Sequence, residues 1–206
     1  MDSQVTLVDP AILALASIIL DFDRDDMKRT TIRIRGATST QPYYYVETTK
    51  SDSRTVVRTG DHVIATVERR DIFPDQITFK GSQSMNLSKW LKSPKMAKFP
   101  ISFVKDEKRY EWRINFIGQV ALYEEGAAVT DAIAWFQASR KRVVDGRPVV
   151  YNALLALKPE ADLMRDTVLV SCLLVEQKAR MNAKANELAV GRAIFEETGL
   201  IAGSPF

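Results

Sequence analysis

The sequence predicts a mainly β fold of the α+β class, a closed antiparallel β-barrel wrapped around a hydrophobic C-terminal helix. About ten short segments between residues 17 and 157 combine β-branched and aromatic residues with turn signals, as strands do. The stretch Val168–Val175 is apolar on every face of a helix predicted from Asp162 to Lys184. Such a helix must be enclosed on all sides, and closing the sheet around it would also remove exposed strand edges.

The individual strands follow from alternation and from the turns between them. Tyr110, Trp112 and Ile114 share one face of a strand, so Trp112 is predicted to face the core. The pair Asp145-Gly146 is a strong hairpin signal before the last strand. The predicted strands are Ser17–Phe22, Lys28–Gly36, Tyr43–Thr49, Thr55–Arg58, His62–Arg69, Gln76–Gly81, Ile101–Lys105, Lys108–Ile114, Gln119–Glu124, Ala132–Ala138, Lys141–Val144 and Val149–Leu157.

The chain of 206 residues is divided into three parts by these patterns. Residues 1–16 form an N-terminal segment predicted as a short helix, residues 17–185 form the barrel with its central helix at 162–184, and residues 186–206 form a tail or a short second helix. The apolar run Ala11–Leu20 has no basic residues before it and no cleavage site, which indicates folded structure rather than a signal peptide.

Composition places the protein among globular, intracellular chains. Hydrophobic residues make up 46% of the sequence, enough to build a core. Cys172 is the single cysteine, so no intrachain disulfide can form, and a reducing compartment such as the cytoplasm is expected. The net charge of +3 is too small to imply a nucleic-acid partner by itself.

Residues that could carry catalysis or bind a metal are few. His62 is the only histidine and follows the turn Gly60-Asp61, so a surface position is favoured over a catalytic one. Cys172 lies in the most apolar run, where core packing is favoured over nucleophilic chemistry. The spacing Asp21-x-Asp23-x-Asp25 starts like a calcium loop but lacks the later glycine and acid. No phosphate-binding glycine loop is present. We therefore expect no catalytic residue, no cofactor and no metal.

The most informative feature is a basic segment between Lys89 and Arg113, which holds eight basic and three acidic residues and so a net charge of +5. Its first four lysines recur every three residues and lie near Trp90, an arrangement that suits an anionic membrane surface. The alternative is a solvated loop with Trp90 packed inward. The candidate residues for binding an anionic headgroup are Lys89, Lys92, Lys95, Lys98, Arg140, Lys141 and Arg142.

Four segments in order also carry a resemblance: HVIATVERRDIFPDQITFKG, KWLK, KRYEWRI and DTVLVSCLLVEQKAR. Together they resemble a fungal family of small proteins of unknown function in the tubby C-terminal-like group. That group includes tubby-like domains, phospholipid scramblases and the plant LURP-one-related proteins. The resemblance implies a β-barrel threaded by a hydrophobic C-terminal helix. Tubby-like relatives imply phosphoinositide binding through basic side chains, but no residue of that site can be transferred to this chain.

These observations lead us to expect a non-enzymatic binding module that recognises anionic lipid headgroups at a membrane surface. Such a module would be cytoplasmic and peripheral at membranes. The alternative is a protein-interaction or oligomerisation module that docks, or self-associates, through the N-terminal segment or the tail. A hydrolase rests on no specific motif, and the sparse aromatic residues and low net charge argue against nucleic acid.

Overall fold

The computed structural model describes residues 13–94, 98–144 and 146–199. The predicted N-terminal helix falls mostly on residues 1–12, and the end of the tail on residues 200–206, which lie outside this part. The elements are β1 Ile18–Phe22, β2 Thr30–Ile34, β3 Tyr44–Thr48, β4 Arg54–Thr59, β5 His62–Glu68, β6 Gln76–Phe79, β7 Met85–Asn86, α1 Leu87–Trp90, β8 Ile101–Lys105, β9 Lys108–Ile114, β10 Val120–Glu124, β11 Ala134–Gln137, β12 Arg140–Val144, β13 Arg147–Tyr151, β14 Leu154–Leu157, α2 Pro159–Asp162 and α3 Arg165–Gly199.

Twelve of these strands form one antiparallel sheet, in the order β7-β6-β5-β4-β3-β2-β1-β14-β11-β10-β9-β8. Chain neighbours pair from β1 to β7 and from β8 to β11, because each is joined to the next by a hairpin or a short connection. The last strand, β14, pairs with both β1 and β11 and so joins the two halves of the chain in one sheet. The mainly β class with a C-terminal helix is therefore what the structure shows.

The predicted closure of the sheet into a barrel is wrong. The sheet has two ends in its strand order, β7 and β8, and no ladder joins them. The physical reason lies in the connection between them. β7 has only two residues, and the chain turns at Leu87 into α1 instead of continuing beside β8. A single bridge between Lys92 and Ser102 is the only backbone pairing recorded beyond the β8 edge in the described residues.

The predicted strand Val149–Leu157 is in fact two strands. Its first part belongs to β13, which pairs with β12 in a separate two-stranded hairpin. Its second part is β14, whose four residues are all buried between β1 and β11. Asn152 and Ala153 separate the two. Asp145 of the predicted turn lies outside the described residues, but Gly146 has the positive φ of 74° that a tight hairpin turn requires.

The helical stretch Val168–Val175 is buried throughout, in one cluster with residues of most strands of the main sheet. Trp112 of β9 is fully buried in the same cluster, as the alternation predicts, and its Nε1 donates to Ser171 Oγ at 3.0 Å. α3 begins at Arg165, after the separate turn α2 at Pro159–Asp162. It continues to Gly199, beyond the predicted end at Lys184.

A second cluster lies on the other face of the sheet's middle strands. Ala121, Trp135 and Ala156 are buried there, and Leu13 and Ala16 pack against them. The strands β10, β11 and β14 are thus covered on both faces, which explains why their sequences are apolar at nearly every position.

Because the strands are antiparallel, their connections lie at two opposite ends of the sheet along the strand direction. We call the end at which β3 starts the near end and the end at which β5 stops the far end. At the near end, α3 begins beside the start of β3, where the Tyr44 hydroxyl donates to Asp166 Oδ1 at 2.7 Å. At the far end, α3 leaves the core beside the end of β5, where Arg69 Nη2 donates to Gln177 Oε1 at 2.6 Å. The strands β1, β3, β5, β7, β9 and β11 all run toward the far end.

Tyr44→Phe should destabilise the fold by about 1 kcal/mol, because it removes a hydrogen bond to a charged but exposed carboxylate without opening a cavity. Burial raises the pKa of Tyr44, as does the Asp166 charge, so the hydroxyl stays a donor. Urea unfolding would measure the loss. Tyr43→Phe is the matched control, since Tyr43 is exposed and should tolerate the change. Equal effects of the two substitutions would contradict a role for the Asp166 bond.

Candidate functional site

A groove of about 780 Å³ opens at the far end, between α1, the β5–β6 connection and the emerging part of α3. Leu87, Leu91, Leu174 and Met181 supply its apolar lining. Four basic side chains line it as well: Arg69, Lys89, Lys92 and Lys178. Asp75 is the one acid among the residues that line it in the described part of the chain.

The walls of the groove are held by backbone hydrogen bonds. Asp75 closes the β5–β6 connection, since its Oδ1 accepts from the Arg70 N–H at 3.1 Å and its carbonyl accepts from the Leu87 N–H at 2.8 Å. Lys92 exchanges two backbone bonds of 2.8 Å with Ser102 of β8. These bonds hold the backbone of the β5–β6 connection, of the start of α1 and of Lys92, which form walls of the groove.

Trp90 turns inward from this wall. Its ring lies 5.0 Å from Phe79 and 5.9 Å from Phe103, measured between centroids. The interpretation in which Trp90 packs inward is thus correct for the tryptophan. Lys89 precedes Trp90 on α1 and Lys92 follows the end of α1, and both are exposed at the groove.

The predicted binding residues divide into two groups. Lys89 and Lys92 line the groove, Lys98 is exposed outside its lining, and Lys95 lies outside the described residues. Arg140, Lys141 and Arg142 lie on β12, and none of them lines the groove. The structure therefore does not bring the second basic group into the same site as the first.

Contacts around α3 show how the two groups are separated. Lys178 Nζ donates to Ser93 Oγ at 2.9 Å on the groove side. Arg180 binds the Asp25 carboxylate, and the same carboxylate accepts from the Ser139 hydroxyl at 2.7 Å, just before β12. Positions two apart on a helix point in nearly opposite directions, so the groove and the start of β12 flank α3 on opposite sides.

Two basic residues of the groove were not among the predicted ones. Arg69 directly follows β5 and Lys178 follows the apolar run of α3, and they are more than a hundred residues apart in sequence. Only the pairing of β5 at the far end and the exit of α3 there bring them together. The sole sequence signal was helical spacing, since Lys178 follows Leu174 by one turn.

Charge is distributed unevenly between the two ends of the sheet. At the far end, the described residues between 87 and 100 include Lys89, Lys92 and Lys98 and no acid, and the exposed part of α3 adds Lys178 and Lys184 against Glu187. The near-end connections are acidic, with the residues Asp106, Glu107, Glu125, Asp131, Glu160 and Asp162. The molecule thus presents a basic end and an acidic end.

Another groove, of about 760 Å³, lies along β1 and β2 but differs in its charges. Its acids and bases pair with each other: Arg35 binds Asp21 at 2.6 Å, and Arg33 lies 3.3 Å from Asp23. These pairs leave little net charge for a ligand. The far-end groove is the stronger candidate because its cations outnumber its acid.

The remaining candidate residues for chemistry have ordinary structural positions. Cys172 is fully buried, and burial raises the pKa of its thiol well above the ordinary value, with Glu176 adding to the effect. It therefore stays a protonated core residue. His62 is exposed at the start of β5. Within the described residues, no three His, Cys, Asp or Glu side chains are grouped to hold a metal ion.

A protein-family model matches this chain. Its description is Family of unknown function (DUF6593), and the match covers residues 25–181. The chain belongs to this family. The DUF6593 region starts after β1 and ends within α3, so it includes most of the residues that line the far-end groove. No curated protein and no solved structure matches the chain. None of the helices in the described residues combines the length and apolarity needed to cross a bilayer.

Proposed function

We propose that this DUF6593 protein is a non-enzymatic module that binds anionic lipid headgroups at a membrane surface with its basic far end. The groove carries the proposal, because Arg69, Lys89, Lys92 and Lys178 surround an apolar floor there. Its volume of about 780 Å³ suits a headgroup-sized ligand.

The physical basis is the attraction between basic side chains and anionic lipid. Each Lys or Arg close to an anionic bilayer contributes about 1 kcal/mol, and the effect falls off within about 10 Å at ordinary salt. Lys89 and Lys92 are exposed, and no ion pair to either is found in the described residues. Their charges are therefore available to an anionic ligand.

The proposal includes a cytoplasmic protein with peripheral attachment to membranes, since the cytoplasmic leaflet is the anionic one. The single, fully buried cysteine is compatible with a reducing compartment.

Vesicle flotation tests the proposal. The protein should float with phosphatidylcholine vesicles that contain a phosphoinositide or phosphatidylserine and stay behind with pure phosphatidylcholine. Lys89→Gln with Lys92→Gln should weaken binding by roughly tenfold or more, since two contributions of about 1 kcal/mol are removed. High salt should also weaken binding to the anionic vesicles, because it screens the charges.

The matched control is Lys105→Gln with Lys108→Gln, which removes the same charge at the acidic near end. It should leave flotation unchanged. Equal binding to neutral and anionic vesicles, or equal losses from the two double substitutions, would contradict the proposal. A preference for phosphoinositide over phosphatidylserine at equal surface charge would indicate that the groove selects the headgroup.

A second candidate, a protein-interaction or oligomerisation module, is favoured by one observation. After residue 180, α3 leaves the core, and its side chains from residue 181 to 188 are exposed, including Met181 and Leu188. Residues seven apart lie on the same helix face, so these two could form part of a helix–helix contact. Sedimentation at several concentrations tests this, and a strict monomer that captures no protein partner would argue against it.

A further inference from the structure

Two connections at the far end expose large apolar side chains at their tips. In the β5–β6 connection, Ile72 is 90% and Phe73 68% exposed. In the β9–β10 connection, Phe116 is 75% exposed and Ile117 is also open to solvent. Single exposed apolar residues are normal on a protein, whereas contiguous exposed apolar patches mark interaction surfaces.

Both tips belong to the same end of the sheet as the groove. β5 and β9 run toward the far end, and β6 and β10 start there. The β5–β6 connection also forms a wall of the groove through Arg69, Pro74 and Asp75. The apolar tip at Ile72 and Phe73 therefore directly adjoins the cationic groove.

The bases of both connections are held by hydrogen bonds, so the tips are presented by a fixed backbone. Asp75 closes the first connection by accepting from the Arg70 N–H at 3.1 Å. In the second, Asn115 Oδ1 accepts from the N–H groups of Ile117 and Gln119 at 3.1 and 2.8 Å. The apolar tips are thus exposed while the bases of their connections are held in place. Burying the tips against a partner surface therefore costs little conformational entropy of the backbone.

We propose that the tips Ile72–Phe73 and Phe116–Ile117 insert into an anionic bilayer when the far end docks on it. This inference rests on the proposed function and adds an apolar anchor and an orientation to it. Charge complementarity identifies the occupant: Lys89, Lys92 and Lys178 line the groove beside the first tip, whereas Asp71 is the one acid among residues 70–74. Apolar tips among cations match a surface that is anionic outside and apolar beneath.

Site-directed labelling tests insertion separately from binding. Phe73→Cys carries an environment-sensitive fluorophore such as NBD, while the native Cys172 is fully buried and should not react in the folded protein. With phosphatidylserine-containing vesicles, the label at position 73 should shift its emission to the blue and be quenched by nitroxide lipids. Leu163→Cys is the control, since Leu163 is 92% exposed at the near end and its label should not respond.

The outcomes separate the two proposals. Flotation with vesicles while the label at position 73 stays in water would overturn insertion and leave headgroup binding intact. Failure to float with any anionic vesicle would overturn the proposed function itself. Blue-shifted emission at position 73 that grows with protein concentration in the absence of vesicles would also overturn insertion, because it would indicate contact with a second copy.

Removal of the apolar tip supplies a second measurement. Ile72→Ser with Phe73→Ser should lower vesicle affinity by roughly tenfold or more, since partial burial of two large side chains is lost. Urea unfolding should be unchanged, because neither side chain contributes to the core. Leu163→Ser should have no effect on vesicle affinity. Unchanged affinity of the double variant would overturn the proposal.

Discussion

Trp112→Ala is expected to lower the free energy of unfolding by about 3–5 kcal/mol, the range for removing a large aromatic side chain from a core. Trp112 is fully buried on β9, where it faces Leu122 of β10 and Ile101 of β8 in the register of the sheet. Its Nε1 also reaches across to Ser171 Oγ on α3. The substitution therefore removes a contact between the sheet and the central helix and leaves a cavity between them.

Two further substitutions separate volume from hydrogen bonding. Ser171→Ala leaves the buried Trp112 Nε1 without this partner and should cost about 1–3 kcal/mol, since an unpaired buried donor keeps its desolvation penalty. Trp90→Ala tests an aromatic residue that is only half-buried and should cost less than Trp112→Ala. Urea unfolding measures all three. If Trp112→Ala lowered the free energy of unfolding by less than Trp90→Ala, the central position of Trp112 would be contradicted.

Asp25→Ala is expected to lower stability by about 2 kcal/mol at neutral pH, after allowance for partial solvent exposure. The Asp25 carboxylate accepts from the Ser139 hydroxyl and backbone N–H and binds Arg180 of α3. It thereby ties the loop after β1 to the start of β12 and to the exit of α3. Asp26→Ala is the matched control, because Asp26 is exposed and accepts a single local bond from the Lys28 N–H.

The stabilisation by Asp25 should be lost at low pH. Burial by itself raises the pKa of Asp25, but the hydrogen bonds from Ser139 and Arg180 together outweigh it and hold the pKa below the ordinary 3.8. A carboxyl with a lowered pKa stabilises the fold fully above its unfolded value, and this stabilisation is lost as the pH falls through the folded value. The difference between wild type and Asp25→Ala should therefore shrink well below pH 3.8.

Glu176, which also contacts Arg180, affects stability with the opposite pH dependence. Burial raises its pKa, although Arg180 beside it partly opposes this rise. Its ionisation therefore costs stability as the pH rises above its ordinary value of 4.5. Asp25 adds to this rise in pKa and shares Arg180 with Glu176, so the difference between wild type and Asp25→Ala also contains the change in Glu176. A difference that stays constant down to the lowest pH would contradict the role assigned to the Asp25 carboxylate.

Local patterns were sufficient to predict most strands. The limits of β8 and β9 agree with the predicted Ile101–Lys105 and Lys108–Ile114, because clear alternation on either side of a tight turn leaves little freedom of register. The boundary between β13 and β14 could not be predicted, since Val149–Leu157 is continuous in apolar character. The stretch is divided because β13 pairs with β12, whereas β14 pairs with β1 and β11.

The basic segment shows the same limit for the candidate site. Its lysines are evident in sequence, and so is a tryptophan that could pack inward. The contribution of Arg69 and Lys178 to the same groove, and the separation of Arg140, Lys141 and Arg142 from it, depend on where strands end and where α3 leaves the core. The proposed recognition of anionic lipid by this groove stays a prediction until the vesicle measurements are made.

By itself, the sequence determined most of the strands, the buried face of Trp112 and the burial of Val168–Val175, because periodicity and apolar content act over a few neighbouring residues. Only the tertiary structure decided that the sheet stays open between β7 and β8 and that cations from distant segments meet at one end. Whether the sheet closes and whether the cations meet both depend on contacts between residues far apart in the chain. Local patterns carry no information about such distances.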